Sequence, residues 1–186
     1  MRVVNAGPEQ VFKAVVVLHL AFTGAVIVYI IVGEVMDWSD PEFDGYILTN
    51  DDGGTKLLLR IVFGVMAFIQ FVLAFTWLSG SGYVERALQS ISKRANREPD
   101  GSSAAAALQT RHIHRVATLE SIAVSGLILY ILGGERIDLY GFCAVSMVGL
   151  LLIWPRRSEW EESYRTLARK YPGIPSNPWH VELAAE

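Results

Sequence analysis

Cysteine is almost missing from this chain. Of 186 residues only Cys143 carries a thiol, so no disulfide can close within it and redox compartment cannot be read from cysteine usage. Histidine is nearly as scarce, at four, and nowhere do His, Cys and carboxylates fall at the compact spacing of a metal site, so no metal is expected. A glycine-rich phosphate loop, a dinucleotide fingerprint and a nucleophile elbow are all lacking. Without a catalytic constellation, the isolated chain is not expected to be an enzyme. Its basic residues sit where membrane topology needs them, so nucleic-acid binding is not expected either.

What the chain has is apolar length. Four runs stand out, at about 11–33, 57–79, 113–133 and 139–154. A helix rises about 1.5 Å per residue and a bilayer core is about 30 Å thick, so about 20 residues span it. The first three runs meet that length. The fourth suffices if Tyr140 and Trp154 reach the two headgroup zones. Hydrophobic residues make up 52% and mean hydropathy is +0.32, which suits a membrane protein with modest loops. The first run is too long for a signal-peptide core and no small-residue cleavage site follows it, so it reads as an uncleaved helix. The fold class expected is all-α: a polytopic bundle of four transmembrane helices, with the lipid bilayer as its solvent.

Charge orients the bundle. The connection 34–56 holds Glu34, Asp37, Asp40, Glu42, Asp44, Asp51 and Asp52 against Lys56 alone. The connection 80–112 holds Arg86, Lys93, Arg94, Arg97 and Arg111, and the tail 155–186 holds Arg156, Arg157, Arg165, Arg169 and Lys170. Lysine and arginine resist translocation, so both termini and 80–112 should be cytoplasmic and the acidic loop outside, in a cytoplasmic (inner) membrane. Loop carboxylates at this density suit calcium, but their spacing fits no calcium loop. Trp38, Phe43 and Tyr46 would anchor that loop to the membrane surface or to a partner, and Arg60 would reach toward it.

The first and third runs resemble each other. His19–Glu34 reads HLAFTGAVIVYIIVGE and Glu120–Glu135 reads ESIAVSGLILYILGGE. Aligned without a gap, Tyr29 meets Tyr130, Gly33 meets Gly134 and His19 meets Glu120. A shift of one sets Gly24 on Gly126. Two parallel-repeat hairpins are one reading and the limited alphabet of apolar helices is the other. Between the second and third runs, Tyr83, Val84, Ala87, Leu88 and Ile91 recur at helical spacing, as for a short helix at the inner surface. Residues 97–103 read as a flexible linker. Beyond Ser158 a polar helix is expected to about Lys170, with Trp160, Tyr164 and Leu167 facing the membrane. Pro172, Pro175 and Pro178 should leave the rest, with a solvated His180, extended.

The polar residues inside the runs are the site candidates. A carboxylate in lipid must be neutral, paired or facing a wet interior. Glu120, His19 and Gln70 lie at similar depth, and Thr118, Ser121 and Thr23 complete a network around them. Spacing sets only their depth. They read either as a proton or ion site, with Glu120 the carrier and His19 its partner, or as a structural network pinning the helices. Haem would need two facing imidazoles, for which His19, His112 and His114 are the candidates.

The run Glu120-Ser-Ile-Ala-Val-Ser-Gly126-Leu127-Ile-Leu-Tyr-Ile-Leu132 places a carboxylate six residues before a Gly-Leu pair. It resembles the ion-binding helix of the rotor-ring proteolipids of rotary ATPases. The resemblance covers residues 120–132 alone and implies that Glu120 exchanges a proton or sodium ion. That family's first helix is dense in glycine, whereas residues 11–33 hold only Gly24 and Gly33.

Three functions remain open from sequence. One is a non-enzymatic accessory or structural subunit of a larger, energy-converting membrane complex, meeting other subunits through helix faces, loop 34–56 and the tail. The second is a proton- or cation-translocating oligomer built on Glu120. The third is a quinone- or haem-binding electron-transfer subunit.

Overall fold

The structure is a computed structural model that describes residues 7–40, 53–78, 80–133 and 135–179. Most of the acidic loop (Glu42, Phe43, Asp44, Tyr46, Asp51 and Asp52), Gly134 and His180 lie outside the described residues. Within them the chain is all-helical, with no strand. The helices are α1 (Pro8–Ser39), α2 (Gly53–Phe75), α3 (Ser81–Ala95), α4 (Gly101–Leu132), α5 (Arg136–Leu152) and α6 (Arg157–Ala168).

α1, α2 and α4 are each long and apolar enough to cross a membrane, and α5 with α6 would make a fourth span if the pair is taken as one. That pair is bent by 61°. Pro155 explains the break, because it lacks an N–H and pushes Trp154 out of the helical region. α1 and α4 both have 32 residues. Each is therefore about 48 Å long, well beyond the hydrocarbon thickness. The apolar runs underestimate both. α1 begins early because Pro8 suits a first helical position. α4 begins early because the alanine-rich stretch 104–107 is strongly helix-forming.

Residues 101–103, expected to be linker, form the first turn of α4. Asp100 caps it: the Ser103 N–H donates to Asp100 Oδ1 at 2.8 Å, and the Asp100 N–H donates to Ser103 Oγ at 2.8 Å. This reciprocal pair satisfies donors that the helix leaves unpaired. α3 ends on Asn96, whose φ of 49° is left-handed, a role open to asparagine.

The chain forms two compact units. One comprises residues 1–19, 77–114 and 154–186. Its core joins Phe12 and Val15 of α1, Val84 and Leu88 of α3, Ala104 and Leu108 of α4, and Trp160 and Tyr164 of α6. Trp160, Tyr164 and Leu167 are thus buried inside protein and do not face the membrane. Their spacing along α6 marks one apolar face, and α1, α3 and α4 cover it. The tail docks here too. Ile174 is buried and Trp179 Nε1 donates to Glu161 at 2.8 Å. Its prolines prevent a helix but do not prevent packing.

The other unit comprises residues 20–76 and 115–153. Its core includes Val26, Ala67, Leu119, Ile122, Leu139 and Leu150. Its outer surface is also apolar, through residues such as Leu20, Ile31, Ile61, Phe68 and Leu151. An apolar exterior over an apolar core is what lipid as solvent requires. α4 is the central rod and α2 a peripheral one: 44% of the apolar window of α4 is buried, against 6% for α2. α4 and α5 meet closely at two glycines. A Cβ on Gly126 would lie 2.5 Å from Phe142 Cβ, and one on Gly149 would lie 2.7 Å from Leu119 Cδ2. Gly24 has open space instead, so the paired glycines of the two similar runs have different surroundings.

Candidate functional site

The Glu120 carboxyl lies in the membrane-type unit, half-buried on α4. The Tyr29 hydroxyl on α1 donates a hydrogen bond to its Oε1. A carboxyl in apolar surroundings needs such a donor, and a tyrosine hydroxyl away from water needs such an acceptor. The two therefore satisfy each other. Aligning the similar runs sets His19 opposite Glu120, whereas packing sets Tyr29 there. Residue depth counted from the end of an apolar run is not packing register. The visible signal for the pair was Tyr29 itself, a hydroxyl far inside an apolar run.

The remaining members of the expected network divide. Ser121 Oγ donates to the Thr118 carbonyl at 2.7 Å and Ser125 Oγ to the Ser121 carbonyl at 2.9 Å. These hydroxyls are turned onto their own helix. Among the described residues the amide oxygen of Gln70 is buried without a hydrogen-bond partner, as is the hydroxyl of Ser146 on α5. Buried polar atoms without partners are uncommon and each is a place where water or a partner group fits. Thr23 also belongs to this unit.

The histidines belong to the other unit. His19 Nδ1 lies 3.1 Å from His112 Nε2, with His19 fully buried and His112 nearly so. The Trp154 ring stands edge-on to His19 at 4.9 Å between centroids. His114 points elsewhere and is exposed, in a hydrogen bond with the Tyr83 hydroxyl. Two imidazoles already bonded to each other leave no space for an iron between their nitrogens. A macrocycle held by His19 and His112 would require the rings to separate, so the pair does not fit a bis-histidine haem as it stands.

Arg60 of α2 binds the start of α5. Its Nε donates to Asp138 Oδ2 at 2.9 Å and a terminal nitrogen lies 2.9 Å from Glu135 Oε1. The Glu135 carboxyl is held below its usual range first by the hydrogen bond from Arg60 and then by its charge. Arg136 pairs with Asp37 of α1. These contacts tie α1, α2 and α5 together at one end. The acidic loop toward which Arg60 was expected to reach lies largely outside the described residues.

Next to this clasp lies an apolar groove of about 580 Å³. Gly64, Ala67 and Phe71 of α2 line one side, Gly141 and Phe142 of α5 the other, and Asp138 marks one end. It is open to the outside of the unit.

Among the described residues no group of His, Cys, Asp and Glu is arranged to hold a metal ion. Compared with protein-family models, with curated proteins and with solved structures, the chain matches none.

Proposed function

We propose that the chain is a non-enzymatic accessory subunit of a larger assembly in a bacterial-type cytoplasmic membrane. It crosses the bilayer four times, with α5 as the short fourth span and both termini inside. The observation that carries this reading is the groove between α2 and α5. A peripheral, apolar helix flanking a groove floored by Gly64, Ala67 and Gly141 suits a partner's transmembrane helix, because small residues let backbones approach closely and gain dispersion contacts that lipid chains cannot match. α6 is too charged to sit in lipid, so α5 alone is the span, at about 25 Å. The orientation rests on charge: of the described lysines and arginines, only Lys56, Arg60, Arg115 and Arg136 fall in the lipid-type unit.

Purification from native membranes in mild detergent tests the reading. A stoichiometric membrane partner is expected, and filling the groove with Gly64→Leu or Gly141→Leu, each with open space around it, should release it while the chain stays folded. Recovery of the chain alone, or a partner indifferent to both substitutions, defeats the reading. Tags on either terminus should be inaccessible from outside intact cells.

The Tyr29–Glu120 bond favours a second reading, in which Glu120 carries a proton or cation. Reconstituted into liposomes, the chain would then pass protons, and Glu120→Gln would abolish the flux.

A further inference from the structure

A second cavity, of about 480 Å³, lies in the unit formed by residues 1–19, 77–114 and 154–186. Its walls come from three stretches of chain. α3 contributes Tyr83, Arg86, Ser90 and Arg94, α4 contributes Thr110 and His114, and Trp77 follows α2. Arg86, Ser90 and Arg94 recur every four residues, so they share one face of α3. No carboxylate is among the lining residues.

Among the described residues the charges in this cavity are not answered. Arg94 makes no ion pair or hydrogen bond among the described residues. Among the described residues Arg86 donates from its Nε alone, to the Gly82 carbonyl at 3.1 Å, and its guanidinium stands 5.8 Å from the Trp77 ring. The acidic residue of α3, Glu85, is turned away to pair with Lys170. The Tyr83 hydroxyl and His114 bond each other across the α3–α4 wall. That bond fixes two rings beside the arginines and keeps the cavity preformed.

Two guanidiniums with open donors, no carboxylate among the described lining residues and an adjoining aromatic and aliphatic wall define a complementary ligand. We infer that this cavity binds an anionic phosphate group, with Arg86 and Arg94 as its donors. Guanidinium presents paired N–H groups that match phosphate oxygens. Trp77, Ala87 and Ile91 offer an apolar shelf for the part of the ligand beyond the phosphate. Trp77 lies in the turn that follows the apolar helix α2, where interfacial tryptophan is common. An anionic phospholipid headgroup and a soluble phosphate compound share this chemistry.

The test uses the full chain purified in detergent. The probes are short-chain phosphatidylglycerol, phosphatidylcholine of the same chain length and inorganic phosphate, with binding read by native mass spectrometry and competition. Phosphatidylglycerol should bind well above phosphatidylcholine, and Arg94→Gln or Arg86→Gln should each weaken it about tenfold. Lys93→Gln, beside the cavity but not lining it, should not weaken it. If inorganic phosphate alone binds with the same arginine dependence, the ligand is soluble. If it fails to displace phosphatidylglycerol, the ligand is lipid. Equal binding of the two lipids without phosphate binding, or affinity unchanged in both arginine variants, overturns the inference. Both arginines are exposed, so the variants should fold.

Discussion

His19 on α1 and His112 on α4 share a hydrogen bond of 3.1 Å, Nδ1 to Nε2, inside protein. Such a bond needs one ring to donate and the other to accept, so at least one imidazole stays neutral. Replacing one partner leaves the other buried and polar, which costs about 1–3 kcal/mol. His112→Leu alone should lower stability by that amount. His19→Leu with His112→Leu together should cost less than the sum of the two. A double-mutant cycle on thermal unfolding in detergent measures the difference.

Tyr29 and Glu120 permit a sharper separation. Glu120→Gln keeps an oxygen for the Tyr29 hydroxyl, so it should fold nearly as well as the parent. Tyr29→Phe removes the donor and should destabilise by about 1 kcal/mol. Parallel measurements of melting and liposome proton flux distinguish a structural bond from a carrier. Only the carrier role predicts a well-folded Glu120→Gln without flux.

Gly126 and Gly24 should behave oppositely. A methyl group on Gly126 collides with Phe142 Cβ, which cannot swing away, so Gly126→Ala should cost about 1–3 kcal/mol by overpacking. Gly24 has nothing within 4 Å, so Gly24→Ala should be neutral or stabilising by up to about 1 kcal/mol. Melting temperatures of the two variants check this.

Asp100 makes stability pH-dependent. Burial alone would raise its carboxyl pKa, but hydrogen bonds from the Ser103 N–H, Ser103 Oγ and Ser102 Oγ, with Arg97 nearby, outweigh burial and lower it. A carboxyl lowered on folding contributes stability above its unfolded pKa, and that contribution fades as pH falls through the lowered folded value. Asparagine caps a helix about as well as aspartate, so Asp100→Asn should lose only the charge-dependent part, making it somewhat less stable than the parent near neutral pH. The gap to the parent should close in strong acid. Unfolding measured across acid to neutral pH gives the slope.

Arg60 should act as a clasp. Arg60→Gln removes both the Asp138 and Glu135 contacts and should lower stability, mainly through the more buried Asp138. Added salt should weaken the parent more than the variant, because the clasp is only partly shielded from water.

Much of the architecture was legible in residue order. The runs at 57–79 and 113–133 mark α2 and the later part of α4, and the period of Val84, Leu88 and Ile91 marks α3. The polar stretch after Ser158 marks α6. The capping pattern Asp100-Gly101-Ser102-Ser103 was also present, but its glycine and serines look like a linker until Asp100 and Ser103 are seen bonding each other. α6 shows the limit more plainly. Its face of Trp160, Tyr164 and Leu167 demands an apolar neighbour, and periodicity does not say whether that neighbour is lipid or protein.

Sequence alone determined that this chain is built of helices with apolar surfaces long enough for a membrane, because hydropathy and helical rise are properties of each segment by itself. Tertiary structure decided which polar groups meet: Tyr29 with Glu120, His19 with His112, Arg60 with Asp138. Those pairings depend on the rotation and sliding of one helix against another, which are set by side chains packing across the contact. No single segment contains that information.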